Sequence, residues 1–375
     1  MKRKPRLRNK FRILSLILLV LFAIPVVTSL SILIFPKPLS FSPLFQHFLS
    51  LKNSEALFYA CFSKMQEVAE VDPKRLYRLR SGLRQSFRMT CGEGIISEIP
   101  ICTDTRGNRI RCETVPDDQI AENDEIDPDT YTILAIGDSN TFGWCLHSEE
   151  SWPSLLEDYL NERSYRRNRV INAGVFGYTS FQCLETLREA LGKSSDSFHL
   201  VLFWAGRNDQ NRALQRTDAE WSKWLGTRNG QAALVRTESI FYRFLYLNRL
   251  LVLGLAEFVL PDRDDFSAKV SEYEFNQNLQ TATTLLEKLG IPICFLSYES
   301  NEGYAVRRDV LQNRAEIIHP FEELRKEKNS SQSFNSESWF LIPNDKHLNT
   351  RGSNALARIL ADYIVASDSS LINRQ

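Results

Sequence analysis

The chain has no Cys-x-x-Cys pair and no His-x-x-x-His pair, and among its 375 residues there are only five histidines. A structural zinc module or a helix-borne metalloprotease site therefore has nothing to stand on. There is no internal repeat, so a solenoid or propeller is excluded. Nor is there a broad basic face of the kind a nucleic-acid binder needs, because Lys and Arg number 46 against 46 Asp and Glu. With 25% charged and 43% hydrophobic residues, the composition is that of a globular protein rather than a disordered one.

That neutral balance averages two unlike parts. The first twelve residues, MKRKPRLRNKFR, hold seven basic side chains and no acid, which leaves a remainder that is net acidic. Residues 13–35 follow without a single charge. Roughly 20 apolar residues suffice to cross a bilayer, and flanking basic residues stay on the cytoplasmic side. The expectation is a cytoplasmic basic segment over 1–12 and a transmembrane anchor over 13–35. Everything after it would then lie outside the cytoplasm, periplasmic or at the cell surface. A cleaved signal peptide is the competing reading, but the apolar run is long for one and lacks an Ala-x-Ala site.

Residues 36–130 read as an extension ending in an acidic linker. Leu57, Cys61, Met65 and Val68 recur at helical spacing, and VPDDQIAENDEIDPDT carries seven acids and no base. Cys102 and Cys112 flank TDTRGNRIR, whose Arg-Gly-Asn reads as a turn between paired strands, so a disulfide is one reading for them. Seven cysteines leave at least one thiol over, and sequence does not give connectivity.

From 131 the rhythm changes. Apolar runs at 131–136, 169–174, 199–204, 291–296 and 315–319 alternate with helical patterns near 152–162, 180–192, 273–289 and 351–365. Nearly continuous hydrophobic strands alternating with helices predict an α/β fold, its parallel sheet covered on both faces. Residues 212–272 break the alternation and read as a helical insertion, a wall or lid; its apolar piece contains Arg243, Arg249 and Glu257, which argues against a second membrane span.

Ligands in such folds bind beyond the carboxyl ends of the strands. The first run ends in Gly137-Asp138-Ser139-Asn140, the second in NAGVFGYTS, the third in AGRNDQ, and near the C-terminus stands PNDKHLNTRG. A serine hydroxyl needs a base within reach to act as a nucleophile. Ser139 is not in a Gly-x-Ser-x-Gly elbow, since Thr141 takes the second glycine's place. A turn with a capping serine is the bland alternative, and for Asn208 an ordinary loop former. His347 stands two residues after Asp345 and just before the last helix, where Asn349 or Thr350 can cap; His319 and His147 are its rivals.

Taken together and in order, Gly137-Asp138-Ser139, Asn172-Ala173-Gly174 through Gly177, Gly206-Arg207-Asn208-Asp209 and Asp345-Lys346-His347-Leu348-Asn349 resemble the four blocks of the SGNH hydrolases, the GDSL esterase/lipase superfamily. The resemblance covers about 131–368. It implies a three-layer α/β/α, flavodoxin-like parallel sheet with Ser139 as nucleophile, His347 as general base and Asp345 as the residue orienting it. The oxyanion donors would be the backbone N–H groups of Ser139 and Gly177 and the side chain of Asn208. It also implies a carboxylic ester hydrolase or O-acyltransferase that works through an acyl-serine and needs no metal or cofactor. The substrate would be an acylated small molecule, carbohydrate or lipid, short acyl groups such as O-acetyl foremost; no nucleic-acid partner is implied. Two features depart from the pattern: Asn140 replaces the eponymous leucine, a change expected to alter packing more than chemistry, and the last block is Asp-x-His where much of the superfamily has Asp-x-x-His. A non-catalytic binding or scaffolding domain of a cell-envelope assembly is the alternative from another class.

Overall fold

The computed structural model describes residues 67–91, 96–112, 129–194, 198–211, 213, 217–228, 267–330, 339–340 and 347–367. The chain divides into two compact units, Gln66–Lys223 with Ser267–Gln375, and Met1–Met65 with Trp224–Phe266. Of the second, only 224–228 are among the described residues, so the account below concerns the first. The expected anchor at 13–35 and nearly all of the acidic linker lie outside the described residues, as do Asp345 and most of the 212–272 insertion. Among the described residues, no helix is long and apolar enough to cross a membrane.

The strands of the first unit are β1 (Ala69–Asp72), β2 (Leu76–Leu79), β3 (Arg84–Thr90), β4 (Ile96–Thr103), β5 (Arg109–Ile110), β6 (Tyr131–Gly137), β7 (Asn168–Gly174), β8 (Leu200–Trp204), β9 (Ile293–Leu296) and β10 (Glu316–Ile318). The helices are α1 (Ser139–Phe142), α2 (Trp152–Arg163), α3 (Ser180–Ser194), α4 (Asp218–Leu225), α5 (Glu272–Glu287), α6 (Arg308–Leu311), α7 (Pro320–Ser330) and α8 (Thr350–Ser367). A 3₁₀ turn at Ser148–Glu150 leads into α2.

One sheet of eight strands organises the unit, in the order β10-β9-β8-β6-β7-β5-β4-β3. The stretch β10 to β7 is parallel throughout, and in chain order its strands run 2-1-3-4-5 from the β7 side, the flavodoxin-like arrangement. The connection after β6 goes to one side of that strand and the connection after β7 crosses to the other. In open sheets of this kind ligands bind at the carboxyl ends of the strands where the connections part.

The strands need this cover because they are apolar on both faces. All seven residues of β6 are buried, as are all five of β8. Ile133, Ala135, Leu202 and Trp204 pack with Trp152, Leu156 and Leu160 of α2 and Leu356, Leu360 and Ile364 of α8. Successive side chains of a strand point oppositely, so the alternate set faces the other layer, where α3 packs against α5. Burying each such side chain stabilises the fold by roughly 1.5–3 kcal/mol.

The sheet does not stop at the start of the 131–368 segment. Strands β5, β4 and β3 add to the edge of β7 in antiparallel sense, beginning with Arg109 opposite Asn172. The expected all-parallel sheet is thus a mixed one, with the preceding segment supplying its far edge. The helical pattern read from Leu57 to Val68 also ends differently: 57–66 lie outside the described residues, and Val68 is a buried turn residue before β1.

Disulfides fasten this edge. Cys102 joins Cys112 around the turn at Gly107, the pairing open from sequence. Cys91, just past β3, joins Cys145 in the loop after α1, a link across 54 residues that sequence spacing did not suggest. Cys183 and Cys294 are buried free thiols.

Candidate active site

The register levels the three loops that matter. Gly137 at the end of β6 pairs with Gly174 of β7 on one side and Trp204 of β8 on the other. The chain then turns at Asp138, whose carboxylate accepts the Asn140 backbone N–H at 3.0 Å and caps α1. The return is so tight that a Cβ on Gly137 would lie 2.1 Å from Thr141 Oγ1 and 2.7 Å from the Trp204 carbonyl oxygen. Ser139, first residue of α1, is thereby held at the carboxyl edge of the sheet.

His347 comes to it from the segment before α8, and the Ser139 Oγ to His347 Nε2 distance is 2.7 Å across 208 residues of sequence. The predicted serine–imidazole pair is therefore formed. Asp345 lies outside the described residues. The rival histidines are elsewhere: the His319 carbonyl accepts from Glu323 N at the start of α7, and His147 stands half-exposed beside Glu149. His199 Nδ1 accepts the Thr132 N–H at the far end of the sheet.

Gly177 and Asn208 are also brought together. Gly177 has φ +79°, a conformation a side chain would strain, and a Cβ there would lie 2.7 Å from Tyr77 Oη. That hydroxyl donates to the Phe176 carbonyl at 2.8 Å, and the Tyr178 hydroxyl donates back to the Tyr77 carbonyl at 2.7 Å. Asn208 Nδ2 donates to the Tyr178 carbonyl at 3.0 Å. One of its two amide hydrogens is thus used to orient the side chain against the Gly177 loop, and a second hydrogen remains on the same nitrogen.

Beneath this edge lies a buried polar layer. Asp209 accepts the Ser180 backbone N–H and hydroxyl, and burial pushes its carboxyl up to about 7 against those bonds. Ser180 Oγ in turn accepts from Asn278 Nδ2 at 3.0 Å. Asp138 is likewise raised by burial, opposed by the Asn140 N–H and the Tyr298 hydroxyl. Among the described residues no group of three or more His, Cys, Asp or Glu side chains is disposed to hold a metal ion.

Three contributors, Arg109, Tyr298 and Trp144, were not read from the sequence. Arg109 of β5 is buried and donates to the carbonyls of Phe142 at 2.5 Å, Gly143 at 2.8 Å and Leu146 at 2.5 Å, with its guanidinium 4.3 Å from the Phe142 ring centroid. Burial lowers it to about 9, Glu149 and Glu150 opposing. With the Cys91–Cys145 link, it clamps the loop that follows Ser139. Tyr298 follows β9 and donates to the Asp138 carboxylate at 2.8 and 2.9 Å. Its place just after a strand was the available signal. Asn140, expected to affect packing, instead bonds Tyr298 and the backbone of Leu348. Its amide finds buried polar partners where a leucine would find none. Trp144, whose ring centroid is 6.3 Å from that of His347, packs edge-on against Phe176 beside the pair.

In sequence, the model of the GDSL-like Lipase/Acylhydrolase family matches residues 135–293. A search by sequence among curated proteins finds no match. Among solved structures, the lipase/acylhydrolase from Enterococcus faecalis is 15% identical, over 63% of this chain and 96% of that one, with a TM-score of 0.38. The psychrotrophic esterase EstA from Pseudoalteromonas sp. is 18% identical, over 63% and 96%, with a TM-score of 0.35. AlinE4, an SGNH-hydrolase family esterase, is 20% identical, over 64% and 96%, with a TM-score of 0.33. At such identities and TM-scores these likenesses say nothing about substrate or mechanism.

Proposed function

We propose, from the match of residues 135–293 to the model of the GDSL-like Lipase/Acylhydrolase family, that the protein is a serine esterase using Ser139 and His347 on a short-chain, chiefly O-acetyl, ester of an extracytoplasmic carbohydrate or lipid. The observation that carries the chemistry is the 2.7 Å Ser139 Oγ to His347 Nε2 pair. At that distance a neutral imidazole takes the hydroxyl proton as Oγ attacks the ester carbonyl. The tetrahedral oxyanion is received by the backbone N–H groups of Ser139 and Gly177 and by the second hydrogen of Asn208 Nδ2. Imidazolium then gives its proton to the departing alkoxide, leaving an acyl-serine. Water, activated by the same imidazole, releases the acid; a sugar hydroxyl in its place would complete an acyl transfer. Asp345 is the side chain we assign to hold the imidazole from behind.

An extracytoplasmic location is supported by two disulfides in the described residues, since such links persist in oxidising compartments. It is supported also by the basic 1–12 and the uncharged 13–35, which suit a signal anchor. The test is hydrolysis of 4-nitrophenyl acetate and of acetylated sugars by the full chain in detergent, with Ser139→Ala and His347→Ala alongside. Turnover lost in both variants supports the reading; near-normal turnover in either overturns it, and an inactive native chain would favour the scaffold.

A further inference from the structure

We propose that Asn140 is a positioning residue that fastens the segment carrying His347 to the turn carrying Ser139. The inference rests on the assignment of those two side chains as base and nucleophile. Asn140 Oδ1 accepts the backbone N–H of Leu348 at 3.1 Å. Ser139 and His347, which meet at 2.7 Å, are thus each one residue away from the ends of a second hydrogen bond. The two bonds close a small ring that joins parts of the chain 208 residues apart.

The direction of every link is fixed by chemistry. A backbone N–H can only donate, so the amide atom facing Leu348 is the oxygen, and Nδ2 faces the Tyr298 hydroxyl, to which it donates at 3.0 Å. That hydroxyl passes its own hydrogen to the two Asp138 carboxylate oxygens. Asp138 completes the circuit by accepting the Asn140 backbone N–H. Asn140, Asp138 and Tyr298 are all buried, Asn140 being 3% exposed. A buried polar group without its partner is costly, so the chain of bonds favours one arrangement of the His347 segment over its neighbours. Reacting groups misplaced by about 1 Å can lose on the order of 100-fold in rate. A leucine at 140 would fill the same space and fasten nothing. In this chain the residue after the nucleophile therefore holds the imidazole independently of any carboxylate behind it.

The titratable groups facing this position are Asp138, Tyr298 and His347, with the Arg207 charge acting on Asp138 and Tyr298. That setting supplies a discriminating substitution. In Asn140→Asp a neutral carboxyl keeps both bonds, its C=O toward Leu348 and its O–H toward Tyr298. Once ionised it loses the donor and adds a second negative charge beside Asp138.

The experiment measures kcat and KM for 4-nitrophenyl acetate across pH for the full chain, Asn140→Ala, Asn140→Asp and Ser139→Ala, with Tm recorded for each. Asn140→Ala is expected to lower kcat roughly 10- to 100-fold with KM within about twofold of native. Its ratio to native should stay level with pH, whereas that of Asn140→Asp should start near unity at acid pH and fall as pH rises. A native kcat in Asn140→Ala, or Asn140→Asp depressed equally with Asn140→Ala at every pH, would overturn the proposal. If Asn140→Ala does not fold, the pH trend of Asn140→Asp decides alone. Should Ser139→Ala keep its activity, the nucleophile assignment fails and the positioning role with it. If Ser139→Ala is inactive while Asn140→Ala turns over normally, only the positioning role falls.

Discussion

The oxyanion role proposed for Asn208 can be separated from folding. Its bond to the Tyr178 carbonyl contributes about 1 kcal/mol, while an oxyanion donor is typically worth about 100- to 1,000-fold in kcat. Asn208→Ala should therefore reduce kcat by that factor with a change in Tm of a few degrees at most; an unchanged kcat would remove it from the oxyanion site. Asp209, its neighbour, makes a prediction of the opposite kind. Its folded value of about 7 exceeds the ordinary 3.8 because burial disfavours the charge. Between those values the folded chain holds a proton that the unfolded chain has released, so stability declines as pH rises from about 4 to about 7 and is level above. The decline from this group alone is on the order of 4 kcal/mol. Asp209→Asn should flatten the Tm-against-pH curve in that window, and parallel curves for the two proteins would contradict it.

The elements around the site explain how a four-residue helix can hold the proposed nucleophile still. Strand β5 is only two residues long, yet its Arg109 ties down Phe142, Gly143 and Leu146, and Cys145 in the same loop is bonded to Cys91 beyond β3. A disulfide closing a loop of this length stabilises by about 4 kcal/mol through the unfolded chain. Cys91→Ser combined with Cys145→Ser should lower the unfolding free energy by up to that amount in a urea titration. Arg109→Met should cost at least about 2 kcal/mol, since it leaves the buried Phe142 and Leu146 carbonyls without a donor, while the Gly143 carbonyl keeps the Leu146 N–H. Little of this edge was legible beyond the turn between Cys102 and Cys112, which reads as joining paired strands and forms the hairpin of β4 and β5. Strand β4 has Pro100 within it and β5 is too short for a period, and a buried arginine looks like any other in a sequence. The parallel strands were legible as short, largely apolar runs: that read at 169–174 is found at Asn168–Gly174 and that at 315–319 at Glu316–Ile318. The last helix was legible too, its amphipathic pattern read at 351–365 and found at Thr350–Ser367, with Asn349 Oδ1 accepting the Gly352 N–H as its cap.

At the scale of the molecule, the order of the strands does what no single motif could. Loops after β6, β7 and β8 leave the same edge because their strands end in register, and α8, packed along α2, brings the segment with His347 back to that edge. The blocks containing Ser139, Gly177, Asn208 and His347 were readable because each stands at a strand end or helix start. What joins them was not: Tyr298 to Asp138 and Asn140 to Leu348 are contacts between segments 160 and 208 residues apart that no local pattern encodes. For the whole chain we expect residues 13–35 to keep it with the membrane through an alkaline carbonate wash, which release into the supernatant would contradict. The most direct test of the central claim is mass spectrometry of the full chain treated with a fluorophosphonate. The account predicts a single phosphonyl adduct on Ser139, absent from Ser139→Ala and slowed by orders of magnitude in His347→Ala. No adduct, or one that persists when Ser139 is replaced, would contradict it.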